Sequence, residues 1–172
     1  MQLLNLSGNS LLALPPSLAL ATALKDLDLS SNAFTAFPAP LASLPHLQTL
    51  SLSHNSLTVF DPALLTLPSL EYLYLSHNLI AVFAEIAPDE ELYEKSAIRV
   101  MDLSFNRLAT IPTRMLKESR VHNLNLQGNA IRRKELMRMD GLEEYQERRK
   151  VKMDIVVKNN LDVDYNICGL TE

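Results

Sequence analysis

The sequence predicts an α/β solenoid: a curved parallel sheet on the concave side, short helical or irregular segments on the convex side, and a helical cap at the C-terminal end. Two observations carry this. Asn9, Asn32, Asn55, Asn78, Asn106 and Asn129 recur at spacings of 23, 23, 23, 28 and 23 residues. Each stands two residues before an apolar position, as in Leu11, Phe34 and Leu57. A polar residue at a fixed period inside an apolar pattern is the mark of stacked repeats.

Aligned on the asparagines, the repeat reads Leu24-x-x-Leu27-x-Leu29-x-x-Asn32-x-Phe34-x-x-Phe37-Pro38. Leu47, Leu50, Leu52, Asn55 and Leu57 follow in the same frame, and then Leu70, Leu73, Leu75, Asn78 and Ile80. Ile98, Met101, Leu103, Asn106 and Leu108 form the fifth repeat; Val121, Leu124, Leu126, Asn129 and Ile131 form the sixth. Alternation around Leu27 and Leu29 sends the leucines to one side of a short strand and Asp26 and Asp28 to the other. The asparagine amide carries two donors and an acceptor, enough to satisfy backbone groups where each strand turns inward. Leu18, Leu41 and Leu64, with Leu44 and Leu67, supply the convex wall. No repeat buries its apolar face alone, so neighbours must do so.

These residues form the leucine-rich-repeat pattern. Its 23-residue period, with Pro after the second apolar pair, resembles the intracellular class typified by Ras-suppressor and plant Ras-group-related repeat proteins. The segment from Gly128-Asn129 through Arg133-Lys134-Glu135-Leu136 to Gly141, Tyr145, Glu147 and Arg148 is similar to the C-terminal cap of the leucine-rich repeat-containing protein 57 family. That resemblance implies a non-catalytic scaffold and points to small-GTPase signalling. The family begins Met-Gly for myristoylation, whereas this chain begins Met1-Gln2, so a lipid anchor is not carried over.

The repeats occupy 1–131, a helical cap 132–158, and a tail 159–172. Asp140 followed by Glu143 has capping-box spacing, which predicts a helix from about Gly141. Leu142 and Tyr145, with Leu136 and Met139 upstream, are expected to close the open end of the core. Met1 falls where other repeats carry their opening Leu, so the first strand starts at once. Either the chain is truncated there, the favoured account, or another molecule covers Leu4, Leu6 and Leu11. The enlarged fourth interval holds Glu85-Ile86-Ala87-Pro88-Asp89-Glu90-Glu91-Leu92-Tyr93-Glu94-Lys95, read as a solvated short helix bulging on the convex side.

Composition narrows the function. A hydrophobic fraction of 47% with only 6% aromatic and no Trp suits an aliphatic solenoid core. The formal net charge of −4 gives no general attraction to nucleic acid or anionic membrane. Cys168 is the only cysteine, so no disulfide forms within the chain, and a cytoplasmic setting is expected. Residues 132–152 carry eight basic and five acidic side chains, read as a solvated cap rather than a nucleic-acid arm because no aromatic series accompanies them.

The motifs of chemistry are missing or incomplete. Asp162-x-Asp164-x-Asn166 opens like a calcium loop but has Ile167 where Gly is needed, and the given sequence ends before a twelfth position. His54 and His77 share a repeat position, about 5 Å apart across adjacent strands, yet no third metal ligand is evident. Cys168 lacks a placeable base. No phosphate loop, metalloprotease helix or nucleophile elbow occurs, so neither enzyme activity nor a cofactor is expected. Leu161, Val163, Tyr165 and Ile167 alternate with polar residues, as in a strand that could extend the sheet or bind a partner; a disordered terminus is the equal alternative.

Where, then, would a protein partner bind? Outward positions form three columns: Leu3, Asp26, Thr49, Tyr72, Val100, Asn123; then Asn5, Asp28, Ser51, Tyr74, Asp102, Asn125; and the turn column Gly8, Ser31, His54, His77, Phe105, Gly128. Tyr72, Tyr74, His77 and Phe105 cluster, with His54, Asp26, Asp28 and Asp102 around them. Aromatics among carboxylates suit protein recognition. The alternative class is a structural subunit of a large intracellular assembly, such as a ribonucleoprotein or cytoskeletal particle, docked through its first repeat and basic cap.

Overall fold

The computed structural model describes residues 1–87 and 90–158, with side chains of the last helix through 152. The strand-like tail, the calcium-like triplet and Cys168 lie outside the described residues. Six three-residue strands form one parallel sheet: β1 Leu3–Asn5, β2 Asp26–Asp28, β3 Thr49–Ser51, β5 Tyr72–Tyr74, β7 Val100–Asp102 and β8 Asn123–Asn125, paired in that order. Two further short strands, β4 Val59–Phe60 and β6 Val82–Phe83, pair outside that sheet and bring the Phe60 and Phe83 rings to 4.6 Å. From β2 onward the middle residue of each strand of this sheet faces inward: Leu27, Leu50, Leu73, Met101 and Leu124 are buried, while their flanking residues are not.

On the convex side, 3-10 turns at Pro16–Leu20, Ala39–Ser43 and Pro62–Thr66 give way to helices α1 Leu92–Lys95 and α2 Thr113–Glu118. Each 3-10 turn has proline in its first positions, where a missing N–H costs nothing. Leu41, Leu64, Met115 and Leu116 pack from these segments onto the strand leucines.

The asparagine ladder joins the repeats. Oδ1 of Asn32, Asn55, Asn78, Asn106 and Asn129 accepts from the N–H of Leu11, Phe34, Leu57, Ile80 and Leu108, each in the preceding repeat and each at 3.0 Å. The Nδ2 groups donate backward as well, to the carbonyls of Leu6, Leu29, Leu52, Leu75 and Leu103. Asn106 keeps this geometry although its interval is five residues longer, because the extra chain is absorbed on the convex side.

That extra segment differs from the expected solvated helix. Its helical part is one turn, α1, and Tyr93 on it is buried. Burial holds the Tyr93 hydroxyl up at about 12, with Arg114 working in the opposite direction and Glu118 adding to the rise. Arg114 also ties the segment down, donating to the carbonyls of Ala87 at 3.3 Å and Glu90 at 3.0 Å while pairing with Glu118 at 2.8 Å.

Helices α3 Arg133–Leu136 and α4 Leu142–Lys158 cover the last repeat. Leu136, Leu142 and Tyr145 are buried. The Tyr145 hydroxyl accepts from the Leu124 N–H at 3.2 Å, satisfying a donor of the edge strand β8. Arg148 donates to the carbonyls of Leu116, Lys117 and Val121, capping the end of α2. Gly141 has φ +87°, and a Cβ there would stand 2.7 Å from Lys117 N, so only glycine lets the two helices approach this closely.

Helix α4 starts at Leu142, where the Asp140–Glu143 spacing predicts a helix, but not through the expected clamp. Asp140 turns its carboxylate toward Lys117 Nζ at 3.5 Å, and no clamp joins Asp140 and Glu143 among the described residues. The clamp appears one helix earlier, where Glu135 accepts from the Arg132 N–H at 3.1 Å.

Candidate protein-binding surface

The sheet register decides which exposed side chains meet. Asp26 pairs with Thr49, Thr49 with Tyr72 and Tyr72 with Val100; one step along, Asp28 pairs with Ser51, Ser51 with Tyr74 and Tyr74 with Asp102. Tyr72 is 41% exposed and Tyr74 half-buried. Asp102 thus neighbours Tyr74 directly. Asp26 and Asp28 stand two strands away, about 10 Å, across the small side chains of Thr49 and Ser51. That step leaves a shallow depression lined by Asp26, Asp28, Thr49, Ser51 and Tyr74, with Leu3 at its outer edge.

Beside the sheet, the turn column adopts a conformation that its residue types conceal. Ser31, His54, His77 and Phe105 have φ of +54°, +56°, +54° and +53°, and Gly8 and Gly128 occupy the same region at +68° and +70°. Left-handed backbone costs a non-glycine residue about 1–2 kcal/mol, so the four hold it only because the stacked repeats impose it. The N–H of each turn residue is fixed to the next rung: Ser31 to Ser53 O, His54 to Ser76 O and His77 to Ser104 O, at 2.9–3.0 Å.

This geometry stacks the rings. His54 and His77 have centroids 4.2 Å apart at 9°, and His77 and Phe105 are 4.4 Å apart at 14°. Phe105, 45% exposed, lies over Gly128, where a Cβ would come within 2.6 Å of the ring. The imidazoles are therefore parallel plates. No group of three or more His, Cys, Asp or Glu side chains converges on a metal site among the described residues. The repeat spacing places these residues in one column but does not show the backbone or the stack; the glycines at both ends of the column are the available signal.

The family pattern for leucine rich repeats matches residues 1–57 and 22–80. The fold is that of a leucine-rich-repeat solenoid. Solved structures agree. The chain is similar to a leucine-rich-repeat protein of Leptospira interrogans, with a TM-score of 0.51 and 22% identity over 86% of this chain and 47% of that one. It is also similar to the leucine-rich-repeat domain of APL1B, with a TM-score of 0.58 and 26% identity over 75% of this chain and 34% of the other. For TLR13, solved as a complex with ssRNA13, the TM-score is 0.66 at 24% identity, over 77% of this chain and 19% of TLR13. The solenoid thus spans less than half of each of these chains. No curated protein sequence matches it. No helix among the described residues is long and apolar enough to cross a membrane.

Proposed function

We propose that this leucine-rich-repeat solenoid is a non-catalytic interaction scaffold that holds a protein partner on its concave sheet. The observation that carries the reading is the group of exposed and half-buried rings on repeats three to five: Tyr72 and Tyr74 on β5, with the His54, His77 and Phe105 stack beside them. Aromatic side chains bring large contact area at small entropic cost, which is why they dominate the energetics of protein interfaces. Asp102 borders Tyr74, and Asp26 and Asp28 stand two strands off, supplying polar selectivity at the rim. The rings stand on strands fixed by the asparagine ladder, so the surface is pre-formed and little ordering opposes binding.

Resemblance to the Ras-suppressor class extends the reading to small-GTPase signalling, and the single cysteine supports a cytoplasmic setting. The test is affinity capture with the chain carrying Tyr72→Ala and Tyr74→Ala. Both side chains leave the core undisturbed, so the variant keeps its fold and loses the captured partner. A folded double variant that retains every partner contradicts the proposal.

A further inference from the structure

We propose that the rung of the turn column at Ser31 receives an arginine side chain of the partner, its guanidinium stacking on the open face of His54 and pairing with Asp28. The inference rests on the concave face being a protein-binding surface and names the chemistry that this face selects.

The ring stack ends abruptly. Phe105 covers one face of His77, and His77 covers one face of His54, at 4.4 and 4.2 Å. The next rung belongs to Ser31, which has the same left-handed backbone and the same bond to its neighbour, Ser31 N–H to Ser53 O at 2.9 Å. Rungs repeat at the strand spacing of about 4.8 Å, so the site beside His54 has the height of one planar group. The serine hydroxymethyl does not fill it, and both Ser31 and His54 are exposed.

Charge decides which planar group fits. Asp28 Oδ1 accepts from the Ser30 N–H at 2.9 Å, which anchors the carboxylate one residue from Ser31. Its second oxygen makes no bond among the described residues. Asp26 lies on the same face of the same strand, and no ion pair joins Lys25 to either carboxylate among the described residues. A nucleobase would stack equally well but would bring phosphates against Asp26 and Asp28. A neutral aromatic ring would leave Asp28 facing an apolar edge. The ammonium of lysine has no plane to stack. Guanidinium is flat, always charged, and carries the donor fork that a carboxylate matches.

The chain itself supplies two fold-preserving variants. Ser31→Phe places a ring where Phe105 already sits at φ +53° in the equivalent position, closing the rung from within. Asp28→Asn removes the charge but keeps the turn, because Asn5 and Asn125 make the same bond to Ser7 and Gln127 N–H at 2.8 and 3.1 Å. The probe is a Gly-Ser peptide with one central arginine, titrated into the full chain by NMR against matched lysine and citrulline peptides. The arginine peptide is expected to shift the His54, Ser31 and Asp28 signals saturably. Lysine binds about fivefold more weakly and citrulline gives no saturable shift; Asp28→Asn weakens arginine binding by about tenfold, and Ser31→Phe abolishes it. Equal shifts with arginine and citrulline, unchanged binding in Ser31→Phe, or no saturable shift in the parent chain overturns the inference. If that happens while the tyrosine double variant still loses its captured partner, the concave-face reading stands without the arginine site. If the tyrosine variant keeps its partner, the concave-face reading fails by itself.

Discussion

Replacing Asn78 with alanine isolates what one rung of the ladder contributes. Its amide is buried, accepts from the Leu57 N–H at 3.0 Å, and donates to the carbonyls of Leu52 at 2.9 Å, Leu75 at 3.1 Å and Ser76 at 3.3 Å. All three carbonyls keep other donors, since Asn55 serves Leu52 O, Asn106 serves Leu75 O and the His54 N–H serves Ser76 O. The Leu57 N–H has no substitute and is left unsatisfied in the core. One orphaned donor, at roughly 1–3 kcal/mol, together with the lost bonds, gives an expected cost of about 3 kcal/mol. Asn9 is the internal control, because its amide donates only to Leu6 O and Ser7 O and is exposed. Asn9→Ala should cost about 0.5 kcal/mol or less. Urea unfolding followed by circular dichroism reads both. Equal losses for the two variants would refute the assignment of inter-repeat cohesion to the asparagine amides.

Three further outcomes follow from the cap and its neighbours. Gly141→Ala forces a Cβ into the α2 backbone at a φ of +87° and should cost more than about 2 kcal/mol, with faster hydrogen exchange across α4; Gly8→Ala, at a φ of +68° with nothing within 4 Å, should cost about 1 kcal/mol. Tyr145→Phe removes the acceptor of the Leu124 N–H and should lower stability by about 1–2 kcal/mol in the same unfolding assay. Burial, then Lys152 and Arg99, hold the His122 imidazole below its ordinary 6.5. The unfolded chain therefore takes up the proton first, so stability is complete above that value and declines as pH falls through the window beneath it. His122→Gln should flatten this decline in urea midpoints measured across that range.

The sheet could be read from the sequence because its information is periodic. One asparagine every 23 residues fixed which leucines are inward and which residues share a column, and the register pairs the residues that this spacing aligns, including Tyr72 with Val100 across the enlarged interval. The turn conformation was hidden because serine, histidine and phenylalanine give no local sign of positive φ; the stacked rungs impose it. Arg114 and Arg148 look like solvated charges in a linear reading, yet their guanidinium groups serve carbonyls that only the folded convex surface brings together. Glu135 rather than Asp140 makes the clamp in the cap, because Asp140 is drawn to Lys117 on a helix distant in sequence. Periodic contacts repeat in the chain, whereas these contacts occur once and depend on the tertiary fold.

Site-directed photo-crosslinking tests the concave-face account most directly. A photoreactive phenylalanine analogue replaces Tyr72 on the sheet in one protein and the exposed Ala42 of the convex Ala39–Ser43 turn in another. The account predicts a discrete crosslinked protein from position 72 and none from position 42. The same crosslink from both positions, or from position 42 alone, would contradict it.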